Sequence, residues 1–159
     1  MKELLKHREK KAGILEDMLS CITYTPNREQ DILAFMERYQ KSDSEERPAI
    51  LDSLRRCMDG QDYPNPYAGC CRYTRGDVAL CEAALDDYIE GLIAAHGDQS
   101  AIRLCVQDTT DRLNALNGQC GGGLIDPWRG ERLREFISGG AELAGLYLEN
   151  GPVFEQKMW

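Results

Sequence analysis

Apolar residues recur along the chain at intervals of three and four, the spacing that gathers them on one side of a helix. They do so in blocks separated by proline, glycine or short polar runs. The first block spans Leu4 to Ile22, with Ile14, Leu15, Met18, Leu19 and Ile22 on its inner side, while Lys6, Arg8, Lys10 and Lys11 make its first turns basic. Gly13 predicts a bend within it. Pro26 and Asn27 end the pattern and restart it: Asn27 is placed to cap a second helix, and Gln30 to return the hydrogen bond of a capping box. That helix carries Ile32, Leu33, Phe35, Met36 and Tyr39. After the polar run 42–46, Pro48 suits a first helical turn, and Ile50, Leu51, Leu54, Cys57 and Met58 follow up to a stop at Gly60.

From Gln61 to Gly76 no period survives, and Tyr63-Pro64-Asn65-Pro66-Tyr67 is turn chemistry, so this stretch is expected to be the longest loop. Helical order resumes from Asp77 to His96 with Val78, Leu80, Cys81, Ala84, Leu85, Tyr88, Ile89, Leu92 and Ile93, closed by Gly97. Asp98 or Ser100 opens the next helix, where Ile102, Val106, Thr109, Leu113 and Leu116 form a seam of about two heptads, short enough to pack inside a bundle. Gly118 and Cys120-Gly121-Gly122-Gly123 predict a flexible junction, and Asp126 before Pro127 is a strong helix start. Leu133, Phe136 and Ile137 supply the inner face of this last helix. Gly139-Gly140 is expected to interrupt it, with Leu143, Leu146, Tyr147 and Leu148 continuing beyond. The end of the chain, with Val153, Phe154, Met158 and Trp159, is apolar enough to dock on the body or on a partner. No stretch alternates as a strand does and no internal repeat occurs. The pattern therefore predicts an all-α fold, an irregular bundle of six or seven helices without a sheet, in a single helical domain over residues 1–159.

Composition narrows the class. With 159 residues and 42% hydrophobic content the chain can enclose a core. It has no run near the roughly 18 apolar residues of a membrane span and no long apolar start of a secretory signal, so it reads as soluble, unexported and cytoplasmic. Seven cysteines is an odd number. Cys21, Cys57, Cys81 and Cys105 fall among apolar helical positions, which fits reduced thiols acting as small core hydrophobes.

Candidate chemistry is sparse. His7, in a basic first turn, and His96, at a helix C-terminus where the dipole favours a cation, both read as peripheral. The thiols lack the two-to-four-residue spacing of zinc sites, Cys70 and Cys71 being adjacent. Glu82, Asp86, Asp87 and Glu90 lack the Glu-x-x-His pairing of helical di-metal sites. The triple glycine has neither a following Lys-Ser or Lys-Thr nor a preceding strand, so it is no phosphate cradle. The expectation is a protein without catalytic residues, metal or cofactor.

Charge is where the sequence departs from the ordinary. The net charge is −8, with 27 acidic and 19 basic residues. From Asp77 to Asp111 eight acidic residues face Arg103 alone, whereas residues 1–12 hold five basic and two acidic ones, which predicts an electrically polar molecule. Such a balance disfavours nucleic acid and anionic membranes as partners and favours a cationic protein, whose encounter the field would accelerate. Glu82, Asp86, Asp87 and Glu90 are the candidate contact acids. Beside them the loop offers Tyr63, Tyr67 and Tyr73 with Arg72 and Arg75, residue types that anchor interfaces; the rings could equally fold back over the core.

The segment Leu124-Ile125-Asp126-Pro127-Trp128-Arg129-Gly130-Glu131-Arg132-Leu133-Arg134-Glu135-Phe136-Ile137 resembles a helical-hairpin stretch of the small, acidic, all-helical immunity proteins of bacterial contact-dependent inhibition and related polymorphic toxin systems. The resemblance covers those fourteen residues together with size and charge. It implies a non-catalytic protein that binds a cognate toxin domain, commonly a nuclease such as an RNase whose cationic groove an acidic surface obstructs. Two other classes stay open: a regulatory or adaptor helical domain with a non-toxin partner, and an enzyme whose site is assembled from distant residues.

Overall fold

The structure, a computed structural model, describes residues 1–67, 71–147, 153 and 154. Among the described residues it is all helical: α1 (Lys2–Arg8), α2 (Lys11–Ile22), α3 (Arg28–Lys41), α4 (Arg47–Met58), α5 (Arg75–Ala95), α6 (Gln99–Gln119) and α7 (Pro127–Leu143). Four of these helices start where a side chain can take up the backbone N–H groups that the first turn leaves without partners. Asn27, Thr74, Asp98 and Asp126 accept from Gln30, Asp77, Ala101 and Arg129 respectively. Two details differ from the sequence expectation. The bond returned to Asn27 comes from Asp31, whose Oδ2 accepts the Asn27 N–H at 3.0 Å, and not from Gln30. The helix expected from Asp77 begins earlier, at Arg75, because Thr74 and Asp77 form a complete capping box.

The first block is two helices rather than one bent at Gly13. The break falls at Glu9 and Lys10, where the N–H groups of Glu9, Lys10 and Ala12 bond three residues back, to Lys6, His7 and Glu9, in a tightened turn. Gly13 lies inside α2, and a Cβ there would have open space around it. Conversely, α7 runs unbroken through Gly139 and Gly140. These glycines are packing residues: a Cβ on Gly140 would stand 3.0 Å from Tyr88 and 3.2 Å from Leu92, and one on Gly139 would stand 3.0 Å from His7. Of the apolar end, Val153 and Phe154 are half-buried, while Met158 and Trp159 lie outside the described residues.

The chain groups into two compact units, Met1–Ile22 with Arg72–Trp159, and Thr23–Cys71. In the first, α5 is the central helix and touches α1, α2, α6 and α7. It buries Cys81, Leu85, Tyr88, Ile89 and Leu92, which recur at helical spacing and form one continuous apolar stripe along the helix. The α6 seam Ile102, Val106, Thr109, Leu113 and Leu116 is buried throughout. In the second unit, the start of α3 meets the end of α4, where Cys57 Sγ lies 3.7 Å from the Arg28 carbonyl, so the two helices are antiparallel. Their core is small: Phe35, Ile50 and Cys57, with Ile32, Tyr39, Leu54 and Tyr63 packed against it.

The two kinds of helical glycine should respond oppositely to alanine. Gly13→Ala gains helix propensity at no steric cost and should stabilise by about 0.5–1 kcal/mol. Gly140→Ala meets a Tyr88 ring held by its hydrogen bond to Ile137, and should destabilise by about 1 kcal/mol or more in urea unfolding.

Candidate interaction surface

The acidic stripe of α5 is met by the basic start of the chain. Asp86 Oδ1 accepts from Arg8 Nε and from Lys11 Nζ, each at 2.6 Å. Lys11 also pairs with Glu82 at 3.0 Å, and Arg8 reaches Glu90 at 3.5 Å. Arg8 is the last residue before the turn at Glu9 and Lys10 and Lys11 the first after it, so the two stand three positions apart on the side that meets α5. Partial burial works against the Asp86 charge, but the hydrogen bonds from Arg8 and Lys11 outweigh it and hold the carboxyl below the usual carboxylate range. Burial likewise opposes the Lys11 charge and is outweighed by Asp86 and Glu82, so its pKa is raised. The charge pattern is therefore not that of two separate poles. Basic N-terminal residues and acidic helix are joined, and much of the field expected at Glu82, Asp86 and Glu90 is compensated within the fold.

What remains facing outward lies on the other side of the hairpin formed by α5 and α6. Asp87 is 60% exposed and meets Arg112 at 2.8 Å, a surface pair of small energetic weight. On α6, Leu104, Asp108 and Asp111 follow at helical spacing and all are exposed. Asp108 and Asp111 make no ion pair among the described residues.

The three tyrosines do not come together as a contact loop. Tyr73 is buried, its hydroxyl donating to the Met18 carbonyl at 2.7 Å and its ring lying under the Arg129 guanidinium at 5.4 Å. Tyr63 turns inward in the α3–α4 unit, donating to Asp31 at 2.8 Å and setting its edge against Phe35. Tyr67 alone of the three is exposed, with its ring edge-on to Tyr24. Arg72 donates to the Gly121 carbonyl at 3.0 Å, and a Cβ on Gly123 would stand 2.9 Å from Arg72 Cβ, so the glycine cluster gives this arginine room as well as supplying the left-handed residues Gly121 and Gly122.

Three polar groups lie buried inside: Arg129 and Asp31, which the sequence did not single out, and His7, which it placed at the periphery. Arg129, 4% exposed, donates from Nε to Asp17 at 2.6 Å, from Nη1 to the Leu124 carbonyl at 3.0 Å and from Nη2 to Cys21 Sγ at 3.0 Å. Cys21 is thus an exposed thiol beside a guanidinium rather than a core residue, and Cys105 is half-buried, whereas Cys57, Cys81 and Cys120 are buried. Burial pushes the Cys81 thiol up to about 12. Asp31, 1% exposed, takes the Tyr24 and Tyr63 hydroxyls and the Asn27 N–H on one oxygen, while its Oδ1 has no partner. Burial works against its charge and those three donors outweigh it, so its pKa is lowered. His7, expected at the periphery, is 3% exposed, stacks on Phe136 and donates from Nε2 to the Phe136 carbonyl at 2.7 Å. His96 is exposed, in the left-handed turn that closes α5. No local signal marks the bonds of Arg129 to Asp17 and Cys21, of Asp31 to Tyr63 or of His7 to Phe136, which join residues 32 to 129 positions apart.

Among the described residues no three His, Cys, Asp or Glu side chains gather as a metal site, and no helix is long and apolar enough to cross a membrane. Comparison with protein families, with curated proteins and with solved structures finds no match to this chain.

A lowered carboxylate pKa gives stability that is present above the ordinary value near 4 and is lost as the pH falls through the folded value. Wild type should therefore exceed Asp31→Asn by about 1–2 kcal/mol in urea unfolding at pH 7, and the gap should shrink at pH 3. An equal gap at both pH values would contradict the ionised Asp31.

Proposed function

We propose that this chain is a non-catalytic inhibitor of the immunity type, which neutralises a cationic toxin domain by stoichiometric binding through the outer face of the α5–α6 hairpin. The observation that carries this reading is the outward-facing set of Asp87, Asp108 and Asp111, with the exposed Leu104 one turn before Asp108, on a unit whose 18 acidic residues exceed its 13 basic ones. A surface of this kind attracts a basic groove from a distance and offers an apolar contact at one end, which suits fast and selective association. Glu82, Asp86 and Glu90, engaged by Arg8 and Lys11, contribute to the field but serve first to hold α1 and α2 on α5. Arg129 supports the same reading, since its guanidinium is committed to Asp17, Leu124 and Cys21 within the fold.

The partner to test is the C-terminal domain of a large secreted protein encoded immediately upstream of this chain's gene. That domain should arrest growth of a host cell, and co-expression of the chain should relieve the arrest and yield a 1:1 complex. Replacing Asp87, Asp108 and Asp111 with lysine should slow association by about tenfold or more at low salt. Failure to protect or to form a complex would contradict the immunity reading. A complex with an unchanged association rate would contradict this choice of face.

A further inference from the structure

A cleft of about 210 Å³ opens where the chain turns from α1 into α2 over α7, lined by His7, Lys10, Ile14, Arg132, Glu135 and Phe136. Its wall is apolar at depth: Ile14 and Phe136 are buried, and the His7 ring stacks on Phe136 with centroids 4.9 Å apart. Its mouth carries Lys10 and Arg132. While Arg8 and Lys11 are drawn to α5, Lys10, between them in sequence, is exposed and makes no ion pair among the described residues. Arg132 gives Nη1 to Glu135 at 2.9 Å and lies over the Trp128 ring at 5.5 Å. Its plane is thereby held, with Nε and Nη2 making no hydrogen bond to described residues. The wall also contains an unsatisfied polar atom: with Nε2 donating to Phe136, His7 Nδ1 is buried without a partner, an uncommon state for a ring nitrogen.

We propose that this cleft binds a compact organic carboxylate, with its apolar body against Ile14 and Phe136 and its charge between Lys10 and Arg132. Three features select that class. The volume equals about seven water molecules, enough for one small ring or branched chain. Two cations against Glu135 leave a single net positive charge, which matches a monoanion and disfavours a phosphate dianion. The free edge of a guanidinium fits the two oxygens of a carboxylate. The excess acidic charge of the chain does not forbid this, because at physiological salt charges more than about 8 Å away are largely screened. Since Lys10 belongs to the α1–α2 turn and Arg132 to α7, an occupant bridges the two and stabilises their packing.

The full chain titrated with benzoate, and with benzamide as its neutral analogue, tests the site. Benzoate should raise the melting temperature and shift the His7 and Phe136 resonances saturably, with a dissociation constant on the order of 1 mM, as expected for so small a ligand. Benzamide at the same concentration should do neither. Lys10→Gln, at an exposed position, should weaken benzoate binding about tenfold, whereas Lys6→Gln, outside the cleft, should leave it unchanged. Equal responses to benzoate and benzamide, equal binding by wild type and Lys10→Gln, or no saturable response to benzoate would each overturn the proposal.

Discussion

Asp86 receives two cations from the far end of the chain, and the arrangement of the larger unit depends on that contact. α5 carries Glu82, Asp86, Asp87 and Glu90 within nine residues; without counter-charges, the half-buried side of that helix would hold carboxylates that repel one another and lose hydration. Arg8 and Lys11 relieve both costs. The two residues flank the tightened turn at Glu9 and Lys10 and stand three positions apart, a spacing at which side chains of a helical segment are neighbours. The same cations also reach Glu82 and Glu90, so three of the four α5 carboxylates are compensated at this contact.

The other buried polar groups act in the same way. Arg129 ties the start of α7 to α2 through Asp17 and Cys21, and to the preceding loop through the Leu124 carbonyl. Asp31 draws together the residues before α3 and after α4 by taking hydrogen bonds from Tyr24 and Tyr63. In surroundings of low dielectric such groups are costly unless satisfied, so each network fixes one geometry more firmly than apolar contacts of similar size would. His7 fills the same role between α1 and α7, with Gly139 giving its ring the room it needs.

Local chemistry was legible in the sequence where it acts over a few residues. Asn27 and Asp126 cap the helices they were expected to cap, α6 starts at Asp98, one of the two starts the pattern offered, and the α6 seam is buried at every predicted position. Glycine was ambiguous, because the same residue marks a break, a turn or a close approach. Gly13 and Gly139-Gly140 read as interruptions and are helical, and only the positions of Tyr88 and His7 explain the second pair. Charge was legible as a composition but not as a surface, since Arg8 and Asp86 are 78 residues apart and nothing in either neighbourhood announces the other. For the same reason the sequence left open whether Tyr63 and Tyr73 face a partner or fold back over the core; they fold back, onto Asp31 and Met18, 32 and 55 residues away.

The central claim is that the basic start of the chain is held on α5 by Asp86. A double-mutant cycle with Lys11→Ala and Asp86→Ala, followed by urea unfolding, measures it directly, because both side chains are more than three-quarters buried. A coupling energy of about 1 kcal/mol or more is expected at pH 7, diminishing as the pH falls below the ordinary carboxylate range and Asp86 is protonated. Additive single effects, with coupling below about 0.3 kcal/mol, would contradict it.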